Sequence, residues 1–516
     1  MRRAAILLCV LAAITAGAGL LRSPQLDNRP MHADEAVNAV RFGQWLERGR
    51  LAYDPAEFHG PALAYLTLPA ARASGARRLA DLDEVTLRFL PAVLGVALVA
   101  GLWLLRGGLG LPATVAAAVL TAISPAMVFY SRYYIHEIPL VFFTFLFLAS
   151  GWRCLQTCYA GEPPARRPGR LFWAALAGLA AGAAHATKET FSLALLAAIG
   201  SAGLVALWSR RGPGRAPGLR KGPLLLACLT ALVVAAAVSG AFFSSFGANP
   251  RGLGDSFTAY ANYFHRAAGA GQAAWHVHPW YYYLQVLFWS PGPGGATWSE
   301  GLIAALALVG MLAALTGRGA GGMRLPLLRF LTLYTIILAV VYCLIPYKTP
   351  WSMLSFLHGL ILLAGVGAGA LVNQVRSRAL KAAVAGALCL AAIPLGVQAW
   401  QGAFLFPSAP GNPYAYAQTT ADVPVLARHV EGLAASLPPG DRLLVQVIRP
   451  GRDYWPLPWY LRRLGRVGWY DAVGSWPAAG GLQPRPGVPR SVFIRQDVWD
   501  AWAPGDPETL PRGTRP

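Results

Sequence analysis

Charge is what this chain of 516 residues has least of. Only 13% of its residues are Asp, Glu, Lys or Arg, against 55% hydrophobic, where a soluble globular domain carries about 25% charged residues. Lysine is nearly missing: Lys188, Lys221, Lys348 and Lys381 are all there are. Cysteine is sparse too. Cys9, Cys154, Cys158, Cys228, Cys343 and Cys389 lie in or beside apolar runs, so no disulfide framework follows. Cys154 and Cys158 are one helical turn apart with no His or further Cys nearby, a poor metal-ligand set. There is no internal repeat, and Gly480-Gly481 lacks the spacing of a phosphate cradle.

Long apolar runs are what the chain does have. A hydrocarbon core of ~30 Å needs roughly 20 apolar residues per helix. About eleven segments approach that length: Ala4–Leu21, Leu87–Leu105, Leu111–Tyr130, Ile138–Trp152, Leu171–Ala186, Phe191–Trp208, Pro223–Phe246, Gly301–Thr316, Leu327–Ile345, Met353–Val372 and Ala382–Trp400. The expected fold is mainly α, a polytopic helical membrane protein. The first run is nearly span-length, which favours a retained helix over a cleaved signal peptide.

Basic residues set the orientation. Arg2 and Arg3, Arg106, Arg166, Arg167 and Arg170, Arg210 to Lys221, Arg318 and Arg324, and Arg376 to Lys381 mark every second connection. Of 23 Asp and Glu residues, only Glu162 falls among those connections. The N-terminus is therefore expected in the cytoplasm of a cell (inner) membrane protein. Much of the net charge of +21 is this arginine excess, so the expected partner is the lipid bilayer and no nucleic acid is called for.

Three outer regions are large. Residues 22–86 and 247–300 are loops of a transmembrane domain spanning 1–400. Residues 401–516 read as a small extracytoplasmic α/β domain: helical periodicity over Val423–Leu437, strand-length apolar runs at Leu443–Ile448 and Ser491–Arg495, and a short helix at Trp459–Leu464.

The ionisable residues gather at outer helix ends. Asp34 and Glu35 open the amphipathic stretch Glu35–Arg48. Asp34 suits a general base, and equally a helix N-cap. The turn from Tyr130 to Glu137 brings Arg132, His136 and Glu137 between two apolar helices; an interfacial aromatic belt with a snorkelling Arg accounts for part of it. His185 to Glu189 and Tyr347 to Trp351 place Lys188 and Lys348 on the outer side, against the charge rule. Each lysine either holds a phosphate as a point charge or pairs with an acid such as Glu189. Trp275 to Tyr283 offers aromatic faces for sugars or isoprenoid chains; His276 and His278 within it make a weak metal pair. Converging helix ends would form one cleft for a lipid-linked phosphate donor.

His32-Ala33-Asp34-Glu35, His59-Gly60-Pro61, His136-Glu137, Lys188-Glu189, Tyr347-Lys348-Thr349-Pro350-Trp351 and Trp455-Pro456-Leu457-Pro458-Trp459-Tyr460 together resemble the GT-C superfamily of membrane glycosyltransferases, which includes protein O-mannosyltransferases and aminoarabinose transferases. Their order is most similar to a prokaryotic family associated with flippase activity. The resemblance implies inverting transfer of a sugar from a polyprenyl-phosphate donor to a glycan, lipid or protein acceptor. Asp34 would be the base, with Glu35 and Glu137 orienting it or holding a cation. Arg132, Lys188 and Lys348 would stabilise the departing phosphate, and His59, His136, Glu189, His278 and Tyr347 would line the substrate. A divalent cation is compatible with the superfamily, and the residues do not decide it. The rival is a flippase or flippase accessory without transfer chemistry; the scarcity of mid-span charge argues against a polar route through the bilayer.

Overall fold

Each of the eleven apolar segments is helical. The computed structural model describes residues 2–49, 51, 53–56, 59–159, 169–211, 218–267, 276–291, 297–438, 443–449, 453–471 and 492–495. Among them, seven helices are long and apolar enough to cross a membrane, and Leu8–Arg22, Leu111–Ile123 and Gly301–Thr316 are shorter apolar helices. The chain is a multi-pass, mainly α membrane protein.

Local chemistry sets the ends. The run Leu111–Tyr130 is two helices, Leu111–Ile123 and Pro125–Tyr130. Pro125 disfavours a helical residue before it, and Ser124 takes an extended ψ of 122° and caps Met127 N–H. The short-looking Ile138–Trp152 runs from Glu137 to Gln156. Arg153 continues that helix with its guanidinium 5.0 Å over the Trp173 ring, so a charged residue remains at an apolar helix end.

Burial separates inner from outer helices. In Pro350–Gln374, 78% of the apolar window is buried, against 6% in Lys221–Phe243 and in Arg378–Leu405. All three are hydrophobic on every side, as spans must be. Small residues let the inner helices touch: a Cβ on Gly310 would lie 2.0 Å from Leu363 O, and one on Gly367 2.0 Å from Leu306 O.

The chain divides into two compact units. The first comprises residues 1–28, 48–76 and 83–416, and the second 29–47, 77–82 and 417–516. The second is α/β. Val445–Ile448 pairs in parallel with Val467–Tyr470 on one side and Val492–Arg495 on the other. The helix Asp422–Ala435 matches the expected periodicity. The short helix is the single turn Leu457–Tyr460, with Arg462 stacked 3.7 Å over Trp459. The acidic helix Ala33–Arg48 lies largely in this unit, whose last segment starts at Ala417.

Candidate active site

In the second unit, the acid pair divides its labour. Glu35 is fully buried. Its Oε2 accepts from Arg29 Nη2 at 3.1 Å and from the backbone N–H of His32 at 3.1 Å. Glu35 thus closes the helix N-terminus, the task expected of Asp34. Asp34 is exposed; its backbone N–H donates to His32 Nδ1 at 3.0 Å, while its carboxylate has no hydrogen-bond partner among the described residues.

The segment before the helix is gripped from residues far along the chain. Met31 N–H donates to the Tyr460 hydroxyl at 2.7 Å, Thr419 Oγ1 donates to Met31 O at 2.7 Å, and Gln418 Nε2 donates to Pro30 O at 2.9 Å. The Trp455–Tyr460 motif therefore serves the acidic segment directly.

In the first unit, three of the outer turns meet, those carrying His59, His136–Glu137 and Lys188–Glu189. Lys188 Nζ is hydrogen-bonded to Glu137 Oε1, both residues being nearly buried. Burial disfavours the ammonium, but Glu137 outweighs it and the Lys188 pKa is raised. His59 Nδ1 lies 2.8 Å from Glu189 Oε2. Burial raises the Glu189 carboxyl, yet His59 more than offsets this and holds it below the ordinary value. The His59 ring meets the His136 ring edge-on at 5.1 Å. Burial, then the charges of His59 and Lys188, push His136 well below its ordinary pKa, so it is neutral. Gly60 makes this approach possible: a Cβ there would sit 2.1 Å from Ala186 O, the carbonyl that accepts from Ala62 N–H at 2.9 Å.

A series of rings leads to the second lysine. Tyr342 is 6.1 Å from Phe356. Phe356 is 5.7 Å from Tyr283, Tyr283 is 5.4 Å from Tyr282, and Tyr282 stacks on His278 at 4.1 Å. Residues 276–278 pair with 346–348: His278 N–H donates to Pro346 O at 3.2 Å and Lys348 N–H to His276 O at 2.9 Å. Lys348 Nζ donates to His278 O at 3.1 Å and also to Ile345 O. No carboxylate pairs with it among the described residues. Burial lowers its pKa, and burial together with Lys348 lowers that of His278. An ammonium has three donors, so one remains. Tyr347 packs 4.7 Å from the His276 ring.

Arg132 is bound to backbone carbonyls. Its guanidinium donates to Arg22 O, Pro24 O and Gln25 O at 3.2, 2.6 and 2.6 Å and covers the Phe404 ring. It pins the chain leaving the first helix. Arg22 is fully buried and does similar work, donating to Thr121 O and Ala122 O at 2.8 Å each.

Sequence reasoning missed three participants. Tyr416 lies 2.9 Å from His276 Nδ1 and 3.4 Å from His278 Nε2. Tyr263 packs 6.3 Å from His59. Glu300 accepts from Ser124 Oγ, Ala126 N–H and the Tyr414 hydroxyl at 2.6, 2.9 and 3.1 Å. An acid immediately before an apolar helix was the available signal for Glu300. Among the described residues, no three His, Cys, Asp or Glu side chains converge as a metal site.

Residues 71–244 match the dolichyl-phosphate-mannose-protein mannosyltransferase family. No curated protein matches the chain. Among solved structures, it is similar to the archaeal oligosaccharyltransferase AglB of Archaeoglobus fulgidus, solved with an inhibitory peptide and a dolichol-phosphate. That likeness has 16% identity and a TM-score of 0.53, over 91% of this chain and 64% of AglB, so the chain spans less than two thirds of that protein. It is also similar to ArnT of Cupriavidus metallidurans bound to undecaprenyl phosphate, with 17% identity and a TM-score of 0.58 over 89% of this chain and 85% of ArnT. The chain therefore has the fold shared by the GT-C superfamily of membrane glycosyltransferases.

Proposed function

We propose that the protein transfers a sugar from a polyprenyl-phosphate carrier to a glycan, lipid or protein acceptor at the extracytoplasmic face of the cell membrane, with inversion. The observation that carries this reading is the exposed carboxylate of Asp34, without a hydrogen-bond partner among the described residues, beside the buried, hydrogen-bonded carboxylate of Glu35. A general base has to reach its substrate and be free to take a proton; a structural carboxylate has its lone pairs committed. Asp34 removes the acceptor proton as the acceptor attacks the anomeric carbon, and the carbon–oxygen bond to the carrier phosphate breaks. Glu35 holds the turn that presents Asp34.

Lys348 is the cation assigned to the departing phosphate, since its charge meets carbonyls rather than a carboxylate. Lys188 is already neutralised by Glu137, and this pair with His59–Glu189 shapes the wall behind His136. The aromatic series from Tyr342 to His278 suits an isoprenoid or sugar face. No step is assigned to a metal. A specific likeness to the flippase-associated family rests on the motifs alone.

The test is reconstitution in liposomes with radiolabelled polyprenyl-phosphate sugars. Label should move to a new acceptor, and Asp34→Asn should lower transfer by about 10²–10⁴-fold while carrier binding persists. Label that crosses the bilayer on its original lipid, with no transfer, would establish the flippase reading. Reporter fusions at Arg215 and Ala472 should report the cytoplasm and the outside respectively.

A further inference from the structure

The helices Glu137–Gln156, Phe191–Arg211, Leu325–Leu344 and Leu354–Gln374 line a half-open cavity of about 1210 Å³. Small-molecule pockets usually measure about 300–1,000 Å³. Small side chains open the bore: Ala198, Ala202 and Ala206 recur every fourth residue on one helix, facing a lining that includes Gly151 and Gly359. The mouth at one end is formed by Tyr159, Ser209, Arg210 and Lys221. This is the end remote from the chemistry. Phe191, beside Lys188, and Arg210 are nineteen positions apart on one helix, or about 30 Å at the helical rise.

We propose that this cavity binds an anionic glycerophospholipid, with acyl chain in the bore and headgroup phosphate on Arg210 and Lys221. An apolar bore rejects polar solutes, and two cations at its mouth select an anionic head. Basic pockets between helices on the arginine-rich side of a membrane take such headgroups. The donor's phosphate is assigned to Lys348, at the opposite helix ends.

The experiment uses the full chain in detergent and reads binding, not transfer, so it stands apart from the transferase reading. Native mass spectrometry should find an anionic phospholipid retained by the wild type. Titration with phosphatidylglycerol should raise the melting temperature more than phosphatidylcholine or undecaprenyl phosphate does. The double variant Arg210→Gln/Lys221→Gln, which leaves the core untouched, should weaken phosphatidylglycerol binding roughly thirtyfold, the worth of two cations near an anionic head. Ala202→Phe should block the bore. Unchanged affinity in the double variant would overturn the proposal. So would preferential, competing binding of undecaprenyl phosphate, which would give the cavity to the donor, or an absence of any lipid-dependent shift.

Discussion

Lys188→Met separates a structural cation from a ligand-binding one. Lys188 and Glu137 are 7% and 6% exposed and in direct contact, and Glu137 opens the Glu137–Gln156 helix. Methionine keeps the length of the side chain and removes its charge, so the main loss is the compensation of Glu137. Breaking a buried pair by removing one partner costs about 3–5 kcal/mol. At ~1.4 kcal/mol per factor of ten, the folded fraction relative to the unfolded falls by roughly two to three and a half powers of ten. Glu137→Gln in the same chain removes the stranded charge, so the double variant should recover most of that loss. Lys348→Met is the comparison. It strands no carboxylate, only the carbonyls of His278 and Ile345, and should cost less stability while weakening carrier binding. The assay is thermal unfolding in detergent beside titration with a polyprenyl phosphate, for both lysine variants and the double variant. An unaltered melting temperature for Lys188→Met with weakened carrier binding would refute the reasoning and make Lys188 a phosphate ligand.

Gly60→Ala should destabilise by about 1–3 kcal/mol through overpacking, because its Cβ meets Ala186 O; Gly200→Ala, with nothing within 4 Å, is the control, and both are read by thermal melts. Carrier affinity should fall as pH rises through the lowered Lys348 pKa, below the ordinary lysine value of about 10.4, and Lys348→Arg, which keeps its charge, should bind on through that range; superimposable pH profiles would remove Lys348 from the phosphate. Tyr460→Phe removes the acceptor for Met31 N–H, so amide exchange over residues 31–36 should quicken while the melting temperature changes little; unaltered exchange would mean the hydroxyl does not hold that segment.

The spans were legible because burial in lipid and burial in protein demand the same residues. Both the enclosed Leu354–Gln374 and the peripheral Lys221–Phe243 are apolar throughout, so periodicity finds the helices and cannot rank their depth. The cluster of His59, His136, Glu137, Lys188 and Glu189 was legible as charge in places where charge is costly. Which acid meets which base was not, since Lys188 had Glu189 as its sequence neighbour and took Glu137. The Val467–Tyr470 strand was missed because Gly468 interrupts its side-chain pattern, and a parallel partner leaves no hairpin signal. The membership of Ala33–Arg48 in the second unit could not be read, because hydrogen bonds to residues nearly four hundred positions away leave no local mark.

That separation has a consequence for how the protein is made. Met31 and Thr419 are 388 positions apart. At ~5–20 residues per second, the ribosome needs roughly 20–80 s between making the acidic helix and making the groups that hold it. Asp34 and Glu35 leave the ribosome among the first charged residues of the chain and wait while the spans of the bundle are synthesised and inserted. Only a chain translated past Tyr460 contains every hydrogen-bond partner of Met31 described above. A chain stopped at a late span would possess the bundle, both lysines and the acid pair, yet lack Gln418, Thr419 and Tyr460.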